Sequence, residues 1–250
     1  MRLAFACLLA VPAAAPAAER LAYAPVVEAD TEVAGSESGG ARLRYALLDR
    51  LEWAPQSGRD GYSWDFSALI GGDTDGIWLS SVGEGSLWGR PDYLEFQALY
   101  SRSLDHDFYL NAGLRWDAKP KPQRLYLAAG GQYDSDALWI GAFGYLSNKG
   151  EFSARLGGIY NGKLTDSLYL QPSFELNASA EDVPELGLGR GLSYAEAGLR
   201  LRFEAGRGFA PYVGLSWERA LGRTARFARD AGEDPLAKSV VIGLRYYAGE

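Results

Sequence analysis

From residue 41 onward the chain alternates apolar and polar residues with a period of two, the pattern of β-strands with two unlike faces. The first run sets Leu43, Tyr45, Leu47, Leu51 and Trp53 on one face against Arg42, Arg44, Arg50 and Glu52. The second sets Tyr62, Trp64, Phe66, Ala68 and Ile70 against Ser63, Asp65 and Ser67. Further runs cover residues 76–84 and 92–103, where Leu94, Phe96, Ala98 and Tyr100 oppose Glu95, Gln97 and Ser101. In the fifth, Phe108, Leu110, Ala112, Leu114 and Trp116 oppose Asn111, Arg115 and Asp117. Residues 124–134 and 137–147 follow, then an eighth run with Phe152, Ala154, Leu156 and Tyr160 against Glu151, Ser153 and Arg155. The ninth sets Leu168, Leu170, Phe174 and Leu176 against Gln171, Ser173, Glu175 and Asn177. The tenth has the clearest alternation: Ala195, Ala197, Leu199, Leu201 and Phe203 against Glu196, Arg200, Arg202 and Glu204. The eleventh begins at residue 208, and the twelfth is SVVIGLRYY.

Twelve strands of about 10 residues match the length at which a tilted strand crosses a bilayer. An even count lets a barrel close with both chain ends on one side. The links sort by parity. Those after even runs are short: GDTDG, LDHD, SD, GKLTD and AGRG. The two longest, around residues 178–190 and 222–238, follow odd runs. The expected fold is therefore all-β: a closed, antiparallel, up-and-down transmembrane barrel of about 12 strands over residues 41–250. Both termini and the short turns would lie in the periplasm, with the long loops outside.

The competing architecture is a soluble β-sandwich, which would expose the polar face to water and bury the other. Ionised residues recur on one face of nearly every run, and aromatics gather near strand ends at Trp53, Trp64, Trp116, Tyr160, Trp217 and Tyr247. Both features favour a sheet with a polar interior and interfacial aromatic girdles. On this reading Glu218 points inward, Trp217 outward, and Arg219 outward near the strand end, where its guanidinium snorkels to headgroups. The expected partners are outer-membrane lipid and the barrel assembly machinery. The terminal aromatic signal resembling the one that machinery reads is displaced here, Tyr246 and Tyr247 being followed by Ala-Gly-Glu.

Residues 1–18 read as a signal peptide: Arg2, an apolar stretch over residues 3–11, then small residues with cleavage near Ala17 or Ala18. Ala4, three positions before Cys7, does not match a lipoprotein signal. Residues 19–40 lack periodicity and read as a flexible periplasmic lead-in rather than a ligand-collecting arm. Past residue 18 there is no cysteine and no methionine, and His106 is the sole histidine, which removes thiolate chemistry. The chain carries 25 basic and 32 acidic residues, a net charge of −7, which argues against a nucleic-acid partner. No run of about 18 apolar residues follows the leader, which excludes a helical span but not a barrel.

Function must lie on the inner wall. Candidate lumen residues are Glu95, Arg115, Arg155, Glu175, Asn177, Glu196, Arg200, Glu204, Tyr212 and Glu218, with Arg202 and Arg245 beside them. They admit two readings: a polar lumen that binds or passes a cation or small polar solute, or a plug of mutual Arg–Glu pairs. Several motifs carry little. Asp73 and Asp75 in GGDTDG lack the remainder of a calcium-loop pattern and read as a tight turn. GLGRG at residues 187–191 has neither the helix nor the Lys-Ser/Thr of a phosphate loop. A Ser–His mechanism needs both groups on one wall, and His106 falls in a short turn, so no enzyme is expected.

Leu-Gln-Pro at 170–172, Glu-Leu-Asn at 175–177, GLGRGLS at 187–193, Ala-Pro-Tyr-Val-Gly at 210–214 and Trp217-Glu218-Arg219 together resemble the copper resistance protein B family. IGGDTDGIWLSSVGEG and EFQALYSR are similar to it too, so the likeness runs over about residues 41–247. The resemblance implies an outer-membrane barrel in copper tolerance, binding or moving copper ions and acting with a periplasmic copper oxidase or efflux system. Family members often carry a Met- and His-rich N-terminal region suited to copper; residues 19–40 hold neither residue. Any copper contact would fall to carboxylates, with Glu175, Glu196 and Glu218 as candidates. The alternative is a narrow channel for a small polar solute without copper ligation.

Overall fold

The structure, a computed structural model, describes residues 42–55, 60–72 and 74–249. The leader at 1–18, the segment at 19–40 and Asp73 lie outside the described residues.

In lipid a strand edge cannot be left unpaired, because no water is present to satisfy its N–H and C=O groups. The chain meets this by closing one sheet on itself. The strands are β1 (Arg42–Ala54), β2 (Gly61–Gly71), β3 (Asp75–Ser86), β4 (Pro91–Ser103), β5 (Phe108–Lys119), β6 (Arg124–Asp134) and β7 (Leu138–Ser147). They continue with β8 (Phe152–Tyr160), β9 (Gly162–Lys163), β10 (Leu168–Ser179), β11 (Gly191–Phe203), β12 (Phe209–Ala220) and β13 (Leu236–Gly249). β9 prolongs β8 past Asn161 along the same edge of β10, so the two form a single stave and the barrel has twelve. Every stave pairs antiparallel with its chain neighbours, and β13 closes onto β1 through partners such as Leu47 and Tyr247. The parity of the links holds: the two long ones, after β10 and β12, lie at the end opposite the chain termini.

The alternation sorts as expected on most staves. Phe66, Phe96, Leu114, Leu127, Leu199, Leu215 and Ile242 are exposed on the outer face, while Asp65, Glu95, Arg115, Arg155, Glu175 and Arg200 are buried inside. Trp53, Trp64, Trp116 and Trp217 all lie toward the long-loop end, and Tyr160 toward the other. Two of these indoles keep a polar partner, Trp53 Nε1 donating to Asp60 (3.0 Å) and Trp64 Nε1 to Ser81 (3.2 Å).

Four expectations need correction. First, Leu43, Tyr45, Leu47, Leu51 and Trp53 do not share a face. The β1–β2 register slips between Leu43 and Tyr45 and again between Leu48 and Arg50. Each extra residue inverts the alternation beyond it. Leu43, Leu51 and Trp53 are exposed outside, whereas Tyr45 and Leu47 are buried in the lumen with Glu52. Second, Tyr247 is not a girdle residue; its ring stacks on Tyr45 inside (6.4 Å). Third, the link after β12 is not merely loop: it holds helix α1 (Thr224–Asp230), and a 3₁₀ turn spans Pro184–Leu186 after β10. Fourth, the last strand starts at Leu236, three residues before the predicted run.

A cation placed on the lipid face should destabilise the barrel in proportion to its depth. Leu215→Arg, near the middle of β12, is expected to cost roughly 2–4 kcal/mol in urea unfolding from bilayers, well beyond a substitution at the already exposed, strand-end Arg219.

The lumen as candidate functional site

Two chemistries share the lumen. On the β3–β7 side lies a buried cluster of rings and aliphatics including Trp78, Val82, Tyr93, Tyr126, Phe143 and Tyr145. Charged residues are set among these rings at Glu95, Arg115 and Asp117, and they dominate the remaining wall from β8 around to β2. Guanidiniums bridge staves that are not neighbours. Arg155 on β8 reaches Glu95 on β4 (2.9 Å), Arg200 on β11 reaches Glu52 on β1 (2.7 Å), and Arg50 on β1 reaches Glu196 on β11 (3.4 Å). None of these pairs joins neighbouring staves, so each is a strut across the interior.

Around Glu95 the network is dense. The carboxylate also receives Arg115 (3.0 Å), the Tyr93 hydroxyl and the Gln97 amide. Arg115 forks onto Asp117 through Nε and Nη2 (2.7 and 2.8 Å) and lies over the Tyr145 ring at 4.5 Å. Arg155 donates to Asn177 (3.2 Å), whose amide donates to Glu175 (2.8 Å). Arg115 and Arg155 are 0 % and 2 % exposed, so water has almost no access to them. Ions this deep are tolerated only because fixed partners replace their hydration.

The second network centres on β1. Tyr212 donates to Glu52 (3.1 Å), as does Ser63 (3.3 Å), and Arg200 also reaches Ser173 (3.3 Å). Arg50 bonds Asp65 (3.2 Å), and Arg245 bonds Asp49 (3.3 Å). The Tyr212 ring lies over Gly243, where a Cβ would meet it at 2.4 Å, so a glycine is required for the ring to reach Glu52. Between the networks is a cavity of about 30 Å³, room for one or two waters, bordered by Asp49, Arg50, Glu175, Glu196 and Arg200.

The long loops cross part of the mouth. Arg124, buried at the start of β6, holds Glu151 bidentately (2.9 and 3.1 Å) and also Glu185 from the turn after β10, although β7 and β8 intervene. The same loop is joined to the next: the Gly189 N–H donates to Thr224 Oγ1 of α1 (2.9 Å), and Arg223 pairs with Asp182 (2.9 Å). Tyr194, Ala220, Ala225 and Leu188 pack beneath them.

This wall carries the residues by which the sequence can be placed among known proteins. The description "Copper resistance protein B precursor (CopB)" matches residues 40–247. The chain belongs to the copper resistance protein B family. It is 38 % identical over 241 residues to a copper resistance protein B homolog of Pseudomonas syringae pv. tomato, covering 93 % of this chain and 81 % of that one. It is 40 % identical over 235 residues to copper resistance protein B of Escherichia coli, covering 89 % and 77 %. Among solved structures, a NanC porin superposes with a TM-score of 0.51 at 12 % identity, covering 82 % of this chain and 99 % of the porin. That likeness concerns the fold alone: a porin-like barrel.

In this family member the motif residues fall on the wall just described. Gln171, Glu175 and Asn177 on β10 and Tyr212 on β12 point inward and are buried. Of the predicted lumen residues, Glu95, Arg115, Arg155, Glu175 and Asn177 meet in the first network, and Glu196, Arg200 and Tyr212 in the second. Glu204 lies just past β11, bonded to Arg202 (2.9 Å), apart from both. The proposed metal carboxylates are cross-strand neighbours: Glu175 pairs with Glu196, and Glu196 with Glu218. Yet Glu175 is turned to Asn177 and Glu196 to Arg50, and among the described residues no group of three or more His, Cys, Asp or Glu is arranged to hold a metal. His106 sits exposed in the β4–β5 turn. Sequence reasoning left Asp49, Arg50, Glu52, Asp65 and Arg124 out of the candidates. The adjacent ionised pair Asp49-Arg50, which breaks the alternation of the first run, is the signal that marks the bulge and two of these residues.

Two outcomes are expected. Glu95→Ala leaves Arg115 and Arg155 without their common anion and should cost about 3–5 kcal/mol in urea unfolding. At the mouth, burial alone would raise the Glu151 carboxyl, but hydrogen bonds from Arg124 and Ser147 outweigh it and hold the group below its ordinary 4.5. A carboxylate lowered by folding stabilises above its unfolded value and loses that contribution as pH falls through the folded one. The Arg124–Glu151 contact should therefore be intact at pH 7 and weaken below about pH 4.5, seen as faster amide exchange in residues 148–152 before the strands open.

Proposed function

We propose that this barrel serves copper resistance in the outer membrane, as a non-enzymatic protein that handles copper ions within a lumen closed by its own ion pairs. The observation that carries this reading is the burial of the cross-lumen guanidiniums in a chain of this family: an open pore would leave them wet. The long loops face outward and both chain ends face the periplasm, where a copper oxidase or efflux system is the natural partner. Copper is cargo here, not a resident cofactor. The groups that would meet it are the carboxylates Glu175, Glu196 and Glu218, aligned on adjacent staves. Carboxylates suit divalent copper less selectively than imidazole or thioether, which favours transient contact over storage.

The cavity beside Arg50 favours a second reading, a narrow channel for a small polar solute with no copper ligation. Restoring the gene to a deletion strain should restore growth on copper. Calorimetric titration of the purified barrel with Cu²⁺ should give saturable binding that is lost in the Glu175→Gln, Glu196→Gln, Glu218→Gln triple variant. Restored tolerance with no binding in either protein removes direct ligation and leaves the channel or a scaffold role. Failure to restore tolerance overturns the copper reading itself.

A further inference from the structure

The struts are not held equally. The Arg115, Arg155 and Arg200 side chains are 0 %, 0 % and 4 % exposed, and their closest carboxylates lie at 2.7–2.9 Å. The Arg50 side chain is 11 % exposed, with Asp65 at 3.2 Å and Glu196 at 3.4 Å. Arg50 also differs in its backbone. It sits at the β1 bulge, where the slipped register brings both Asp49 and Arg50 to the lumen side. Its guanidinium borders the cavity, which lies against the charged wall.

We propose that Arg50 is the gating and charge-selecting residue of the lumen: in place it closes the gap beside β8 and β10, and displaced it leaves a cation-selective passage. This rests on reading the lumen as an ion route. Displacement deprives Asp65 and Glu196 of the guanidinium they share, while Asp49 keeps Arg245 and Glu175 keeps Asn177 and Arg155. The cavity, bordered by Asp49, Glu175 and Glu196, then keeps Arg200 as its one bordering guanidinium and turns net negative, the arrangement by which rings of carboxylates select cations. The opposite wall offers no equivalent: Glu95 there is held at 2.9 and 3.0 Å by both Arg155 and Arg115, and Tyr126, Phe143 and Tyr145 pack around them. Arg200 does not substitute for Arg50, since Glu52 holds it at 2.7 Å. An incoming divalent cation competes with Arg50 for the same two carboxylates, so the cargo itself favours the displaced state.

The full barrel in planar bilayers provides the test, with potassium chloride as the probe. Arg50→Gln is expected to raise conductance about tenfold or more over the native protein, with potassium preferred over chloride. Arg50→Lys, which keeps the charge but not the forked contact, should conduct between the two. It also decides the matter if the Gln variant fails to insert. Adding Asp65→Asn and Glu196→Gln to Arg50→Gln should keep the conductance and remove the preference for potassium. Conductance at the native level in an inserted Arg50→Gln or Arg50→Lys protein overturns the proposal, as does an opening without cation preference. The readout is potassium current, so a failed copper titration or tolerance assay leaves it standing.

Discussion

The whole molecule depends on the pairing of β1 with β13. In hydrocarbon an unpaired strand edge would leave a row of N–H and C=O groups without partners, each costing several kcal/mol, so the sheet is viable only as a ring. Closure then creates an inside. Because side chains alternate, the pattern that presents Leu and Phe to lipid sends an equal number of side chains into an enclosed space. At twelve staves that space is wider than an eight-stave barrel fills and narrower than the open porins. What occupies it determines what the protein does.

Here it is filled in two ways. Rings pack mainly against β3–β7 and need no partners beyond contact. Guanidiniums and carboxylates, set among them at Glu95 and Arg115 and dominant elsewhere, must be matched atom by atom because little water reaches them. Buried ion pairs of this kind contribute little net stability, since desolvation consumes most of the attraction. Their effect is to specify the arrangement: removing one partner strands another. A lumen so constructed resists opening at random, yet has a defined point of weakness where an ion pair is long and backed by a cavity. The bulge at Asp49-Arg50 produces that point by turning two consecutive ionised residues inward.

The loops repeat the same logic at the mouth. Glu185 crosses two intervening staves to Arg124, and Thr224 joins the α1 loop to the loop after β10. This copper resistance protein B family member has no Met or Cys beyond residue 18 and a single, exposed His106, so thioether and thiolate ligands are absent from the described barrel. On the reading proposed above, selectivity comes from access: which ion can displace a guanidinium from a carboxylate, and when the mouth lets it enter.

Much of this was legible in the chain. Strand number, strand length, the parity of the links and the polarity of the two faces are local properties, set by a period of two and by the thickness of the bilayer. Glu175, Glu196 and Glu218 could even be named as a group, because their strands are consecutive. Of the two bulges in β1 only the second leaves a mark in the alternation, the consecutive ionised pair Asp49-Arg50; the first, between Leu43 and Tyr45, inverts the side chains beyond it and leaves no such sign. Tyr45, Leu47 and Tyr247 were misplaced or misread for that reason and because a ring suits a girdle as well as a lumen. The struts were beyond reach altogether. Arg155 and Glu95 are 60 positions apart, Arg50 and Glu196 146, and Arg200 and Glu52 148. Their meeting is a matter of distance across a closed ring, and that distance exists only once the last strand has found the first.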